Sequence, residues 1–180
     1  MGTVFELIAD RALRAEDPAD YPDCQVCGAI APVYVCQGSV VPAPGESTAA
    51  RDVYVVCGDC IRAGRVEQDV QHQIEAGAHR HAARPDEAFA LLRRTPPLPH
   101  FIQEFDWPYC CGGPAELTGD PTPEEATELD RSGRYWQRGP CSPSTPASDV
   151  VPKEGLAVFG GVSAFRCRTC GTAWWTFQFS

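Results

Sequence analysis

A chain of 180 residues with 43% hydrophobic content is long enough to bury a core as one domain, or as one domain with a small appended module. No uninterrupted apolar run is long enough to cross a bilayer, which excludes a membrane-spanning helix. The formal charge of −9 argues against a nucleic-acid surface, which needs clustered cations, and favours a basic protein partner.

Residues 3–14 are predicted as a helix, because Thr3 and Glu6 form a T-x-x-E capping box and Val4, Phe5, Ile8 and Ala12 recur on one side. This start lacks a basic stretch followed by an apolar one, so it reads as a mature helix rather than a signal peptide and predicts a cytoplasmic protein. "AEDPADYPD" (15–23) is a polar break. "CQVCGAIAPVYVCQG" then runs from a knuckle-like cysteine pair into a short strand over Pro32–Cys36. "SVVPAPGESTAARD" is a flexible tip, and "VYVVCGDC" is a returning strand that ends in a second pair.

Val66, Val70 and Ile74 have helical spacing in "IRAGRVEQDVQHQIEAG", and a second helix fits "PDEAFALLRRT", with Pro85 early and acids in the first turn. "PPLPHFIQEFDW" is expected to be extended. Thr122-Pro123-Glu124-Glu125 is another helix start, with an N-cap, proline at the first helical position and glutamate two residues later. Residues 141–155 form a Pro/Ser-rich surface loop, and "LAVFGGVSAFRCRTCGTAWWTFQFS" reads as strand, knuckle, strand. There Trp175, Phe177 and Phe179 alternate with Thr176 and Gln178, the signature of a half-buried strand.

In a reducing compartment, ten cysteines point to metal binding or catalysis rather than disulfides. Three C-x-x-C pairs are present: Cys24/Cys27, Cys57/Cys60 and Cys167/Cys170. Such a turn aims two sulfurs at one point, and Gly28 and Gly171 accept the positive φ it needs. Zinc takes four ligands in a tetrahedron, so Cys24, Cys27, Cys57 and Cys60 make one closed structural site. Thioredoxin-like chemistry is the competing reading; only Cys57/Cys60 has a strand before it and a helix after it.

Cys167 and Cys170 need two more ligands, and "WPYCCGGP" supplies Cys110 and Cys111. The expectation is a second Zn²⁺ held by Cys110, Cys111, Cys167 and Cys170. The alternative is a shell that uses one of the adjacent cysteines and is completed by His100, Asp106, Cys141 or water. An open position would make that zinc catalytic, with Glu104, Asp106 and His100 as titratable neighbours. Cys36 reads as a core thiol, Cys141 stays unassigned, and His72, His79 and His81 read as solvated. Trp107, Trp174 and Trp175 are expected in the core or packed on a knuckle. H-E-x-x-H, P-loop, G-x-S-x-G, kinase and zinc-deaminase patterns are absent from the sequence.

"RRTPPLPHFIQEFDWPYCCGGPAELTG", together with the opening C-x-x-C, the strand-ending C-x-x-C-I and "FRCRTCG", resembles the CbrC family over most of residues 20–175. Cys110 stands where that family has His, an exchange that keeps a zinc ligand. Phe101-Ile102-Gln103-Glu104 replaces a Trp-containing segment, and the loop at 141–155 has no counterpart. The resemblance implies a small cytoplasmic cysteine-rich protein of a family whose name is tied to tolerance of a DNase bacteriocin. It transfers no catalytic residue.

The expected architecture is α+β: an N-terminal helix (1–18), a zinc-ribbon-like unit (19–64), and an α+β region (65–180) of helices packed on antiparallel strands with a second C-terminal cysteine knuckle. Together these are expected to form one compact domain. The expected function is a non-enzymatic, zinc-stabilised acidic protein of the toxin-tolerance or immunity type that binds a basic partner such as a nuclease toxin. A zinc-dependent hydrolase using an open C-terminal site is one alternative. A nucleic-acid-binding zinc ribbon is the other, with Arg84, Arg93, Arg94, Arg166 and Arg168 as its only concentrated cations.

Overall fold

A computed structural model describes residues 2–43, 45, 51–97, 107–136, 155–156 and 161–177. The N-terminal segment is not a helix. Phe5, Leu7 and Ile8 are all buried, which one face of a helix cannot achieve at that spacing. Thr3 donates its backbone N–H to Asp10 Oδ1 (2.6 Å), and the Asp10 carboxyl is held below its usual range, foremost by that bond. Glu6 does not close a capping box; it accepts from Arg168 at 2.7 Å. The only helical turn here is a 3-10 turn at Asp10–Ala12. The segment instead lies along the strand β6 (Glu116–Gly119), where Leu117 N–H bonds Leu7 O (2.8 Å) and Ala9 N–H bonds Leu117 O (2.9 Å). Burial of each of its large apolar side chains contributes roughly 1.5–3 kcal/mol, more than one capping box supplies.

Strands β1 (Val33–Val40) and β2 (Asp52–Cys57) pair antiparallel, with Val33 opposite Cys57 and a register shift between Val35 and Gly38. β1 runs beyond Cys36 because a third strand, β3 (Val66–Gln68), pairs with Gly38–Val40 and completes the order β2-β1-β3. Gly38 is required there: a Cβ would stand 2.1 Å from the Glu67 carbonyl oxygen. Val66 thus belongs to a strand and not to the predicted helix. Val66 and Gln68 point inward while Glu67 is exposed, a period of two. Gln68 is buried but satisfied in part, donating Nε2–H to the carbonyls of Arg93 (3.0 Å) and Thr95 (2.9 Å).

Between β2 and β3 lies the short helix α1 (Gly58–Arg62). Helices α2 (Gln71–His81) and α3 (Pro85–Leu92) follow, burying Ile74/Ala78 and Ala88/Leu92, i and i+4 pairs that mark one face each. Pro85 occupies the start of α3, where its missing N–H costs nothing. Most of the segment expected to be extended (96–107) and most of the loop expected at 141–155 lie outside the described residues.

After Trp107 come a two-stranded hairpin, β4 (Tyr109–Cys110) and β5 (Gly113–Pro114), then β6, α4 (Pro123–Ser132), β7 (Arg134–Tyr135), β8 (Val162–Arg166) and β9 (Ala173–Phe177). α4 has the predicted capping box: Thr122 Oγ1 accepts from Glu125 N–H (3.3 Å), and Glu125 Oε2 accepts from Thr122 N–H (2.9 Å). The second sheet has the order β6-β8-β9-β7, antiparallel except where β7 runs parallel to β9. Trp175 and its neighbour Thr176 are both buried, so β9 is covered on two faces rather than one.

The fold is α+β, and one apolar cluster ties its parts together. Phe5 meets Tyr34 edge-on at 5.5 Å, and Trp107 meets Phe165 edge-on at 5.4 Å while donating its indole N–H to Ala115 O. A smaller cluster of Leu129, Leu156, Val162 and Trp175 sits between α4 and the second sheet. Trp107 and Trp175 are therefore core residues, as expected.

Candidate metal centres

Cys24 and Cys27 sit on a tight turn in which Gly28 N–H bonds Cys24 O (2.8 Å) and Cys24 N–H bonds Ala29 O (3.0 Å). Gly28 adopts φ +70°, a conformation that costs other residues energy. Gln25 clips this turn to the edge of β2, its Oε1 accepting from Tyr54 N–H (2.6 Å) and Val55 N–H (3.2 Å). β2 ends at Cys57, and α1 starts at once, placing Cys60 one turn further on. Two unrelated local devices, a glycine-ended turn and a strand-to-helix corner, thus deliver two sulfurs each.

The second cluster repeats the first device. Gly171 N–H bonds Cys167 O (3.0 Å), Cys167 N–H bonds Thr172 O (2.8 Å), and Gly171 has φ +72°. Facing it, the adjacent pair is solved by a hairpin. Tyr109 pairs with Pro114 and Cys110 with Gly113, leaving Cys111 and Gly112 as a two-residue loop. Their φ values, +51° and +78°, are those of a type I′ turn, whose twist matches antiparallel strands. Cys111 is the only non-glycine at positive φ among the described residues. Such a placement costs of order 1–3 kcal/mol and persists only where the surroundings enforce it. Gly112 O accepts from Ala83 N–H (2.9 Å), which docks the turn on the α2–α3 connection.

In each tetrad, Cys24/Cys27/Cys57/Cys60 and Cys110/Cys111/Cys167/Cys170, all four Sγ atoms lie within 4.8 Å of one another. The edge of a tetrahedral zinc–thiolate site with bonds of about 2.3 Å is about 3.8 Å. Cys27–Cys57 at 3.9 Å, Cys110–Cys111 at 3.9 Å and Cys110–Cys170 at 3.7 Å match that edge, so the donor sets fit a thiophilic cation. Four sulfurs already complete such a shell, leaving no position for water.

The environments differ. Burial raises Cys24, but N–H groups of Cys57, Cys27 and Val26 directed at its sulfur outweigh this and bring it to about 7. Burial pushes Cys57 and Cys60 up. In the second cluster the Thr172 hydroxyl, 3.1 Å from the Cys170 sulfur, and the Thr172 amide bring Cys170 down to about 6. The Cys170 and Cys167 sulfurs push Cys111 up to about 12, and burial raises Cys110. Four thiols crowded at one point resist carrying four charges unless a cation joins them.

All eight sequence-selected cysteines are thus brought together in two groups of four. Cys36 stands apart, fully buried, its thiol pushed up to about 12 by burial. His100, Glu104, Asp106 and Cys141 lie outside the described residues. His72 and His79 are exposed, whereas His81 is half-buried between Tyr109 (5.6 Å) and Trp136 (5.1 Å), contrary to the solvated reading. Two of the proposed nucleic-acid cations are engaged by carboxylates: Arg84 by Glu87 and Arg168 by Glu6. Sequence reasoning missed Thr172 and the left-handed Cys111. The Cys-Gly step inside a short hairpin was the available signal for the latter.

The model of a family described as "Uncharacterised protein family (UPF0167)" matches residues 15–179. No curated protein and no solved structure matches the chain.

Proposed function

The chain belongs to the UPF0167 family, and on that premise we propose that it is a non-enzymatic binding protein, stapled by two zinc ions and acidic enough to capture a basic protein. The observation that carries the reading is that each tetrad spans distant parts of the chain with a complete sulfur shell. A filled tetrahedron cannot activate water, so the metals serve folding rather than hydrolysis. The ligands are Cys24, Cys27, Cys57 and Cys60 in one site, and Cys110, Cys111, Cys167 and Cys170 in the other.

The partner reading rests on charge. Asp17, Asp20 and Asp23 are exposed, and among the described residues no ion pair takes up their carboxylates. A net charge of −9 steers a basic protein toward such a surface and makes association salt-sensitive. A nuclease toxin has the required basic surface, because it binds polyphosphate, and the CbrC resemblance points the same way.

The test is metal analysis joined to titration with purified basic nuclease domains. Two zinc ions per chain are expected, falling to one in the Cys167→Ser/Cys170→Ser variant. Binding should weaken at least tenfold in high salt and in an Asp17→Asn/Asp20→Asn/Asp23→Asn variant. Metal-free protein of native stability, or zinc-dependent hydrolytic activity with no binding at low salt, would defeat the reading.

A further inference from the structure

The two tetrads are unequal in a way that their shared ligand set conceals. In the first, Cys24, Cys57 and Cys60 are 1%, 4% and 7% exposed, and only Cys27 reaches solvent. In the second, only Cys167 is buried, at 3%; Cys110 is half-buried, and Cys111 and Cys170 are exposed. The second tetrad also borders an open cleft of about 650 Å³ whose wall includes Cys110, Cys111 and Cys167. Two arginines, Arg84 and Arg168, and one carboxylate, Glu116, share that wall. Finally, the second tetrad alone holds a ligand in a strained conformation, Cys111 at φ +51°.

Resting on the reading that both tetrads bind metal, we propose that the second is an exchange centre, which passes a soft thiophilic cation through the cleft while the first holds its ion as a permanent staple. Exchange at a thiolate site is associative: an incoming sulfur ligand must reach the metal before a protein sulfur leaves. The cleft supplies that approach at the second centre, whereas three buried sulfurs close it at the first. The incoming thiolate, from a thiol-bearing acceptor, forms a metal–sulfur bond, and the bond to Cys111 or Cys170 breaks. One thiolate takes the place of another, so charge balances, and no electron changes hands.

The experiment uses the full chain carrying two zinc ions, with the zinc count verified by elemental analysis. Excess Cd²⁺ is added, and native mass spectrometry follows cadmium-for-zinc replacement. In parallel, a pulse of N-ethylmaleimide labels the cysteines released on transfer to a thiol chelator. One zinc should exchange at least tenfold faster than the other, with label first on the peptides holding Cys110/Cys111 and Cys167/Cys170. Equal exchange rates with two zinc ions bound, or earliest labelling at Cys24, Cys27, Cys57 or Cys60, would overturn the exchange centre while leaving the metal reading intact. Fewer than two bound ions would overturn the metal reading itself, and the inference with it.

Discussion

At the scale of single residues, the turn that presents the adjacent cysteines depends on Gly112. Its φ of +78° suits glycine alone, and a Cβ there would stand 2.8 Å from the Ala83 Cβ. Gly112→Ala therefore combines backbone strain with a clash, and its expected cost is about 1–3 kcal/mol, read from denaturant midpoints. A cost below experimental error would mean that the turn is not held as described. Cys36 makes a second prediction. Burial raises its thiol from 9.0 to about 12, so the folded chain keeps it neutral where the unfolded chain ionises it. Its contribution is fully present below about pH 9 and is lost as pH climbs toward 12, by up to ~1.4 kcal/mol per unit. A Cys36→Ala variant should show a shallower alkaline loss than the parent chain, compared by urea unfolding on either side of pH 9. Parallel pH profiles would count against a neutral buried thiol.

At the scale of elements, local signals held where local interactions decide the outcome. α4 begins at Thr122 with its capping box because both partners lie within one turn and face solvent, so little else competes. Glu125 also accepts from Arg11 (2.6 Å), which joins the helix start to the N-terminal segment. Thr122→Ala should cost about 1 kcal/mol, seen as a lower thermal midpoint with metal content unchanged. The same T-x-x-E pattern failed at Thr3 and Glu6, whose side chains turn to Asp10 and Arg168. Tertiary burial of Phe5, Leu7 and Ile8 outweighs a cap there. Val66 failed for a related reason: its spacing to Val70 and Ile74 is helical, but β1 offers an unpaired edge that takes residues 66–68 as a strand.

At the scale of the whole molecule, two sulfur clusters and two apolar clusters each gather residues from distant parts of the chain. The core joins the first sheet to the second through Phe5, Trp107 and Phe165, while each tetrad brings four sulfurs from distant turns within 4.8 Å of one another. The ion pairs Arg11–Glu125, Arg14–Asp120 and Arg168–Glu6 tie the N-terminal segment to the second half of the chain, but all are partly exposed and contribute at most about 1 kcal/mol each. Among the described residues no helix is long and apolar enough to cross a membrane. The α+β class, the cysteine pairs, the start of α4 and the final strand–knuckle–strand were legible in the chain by itself, because each is written in short-range spacing and turn chemistry. The meeting of Cys110 and Cys111 with Cys167 and Cys170 was an arithmetic guess until a type I′ turn and the α2–α3 docking point supplied the geometry. The strand-like N-terminus, the parallel β7 and the unequal exposure of the two centres were decided only by tertiary structure. They depend on which distant surfaces meet, and neither spacing nor propensity along one chain records that.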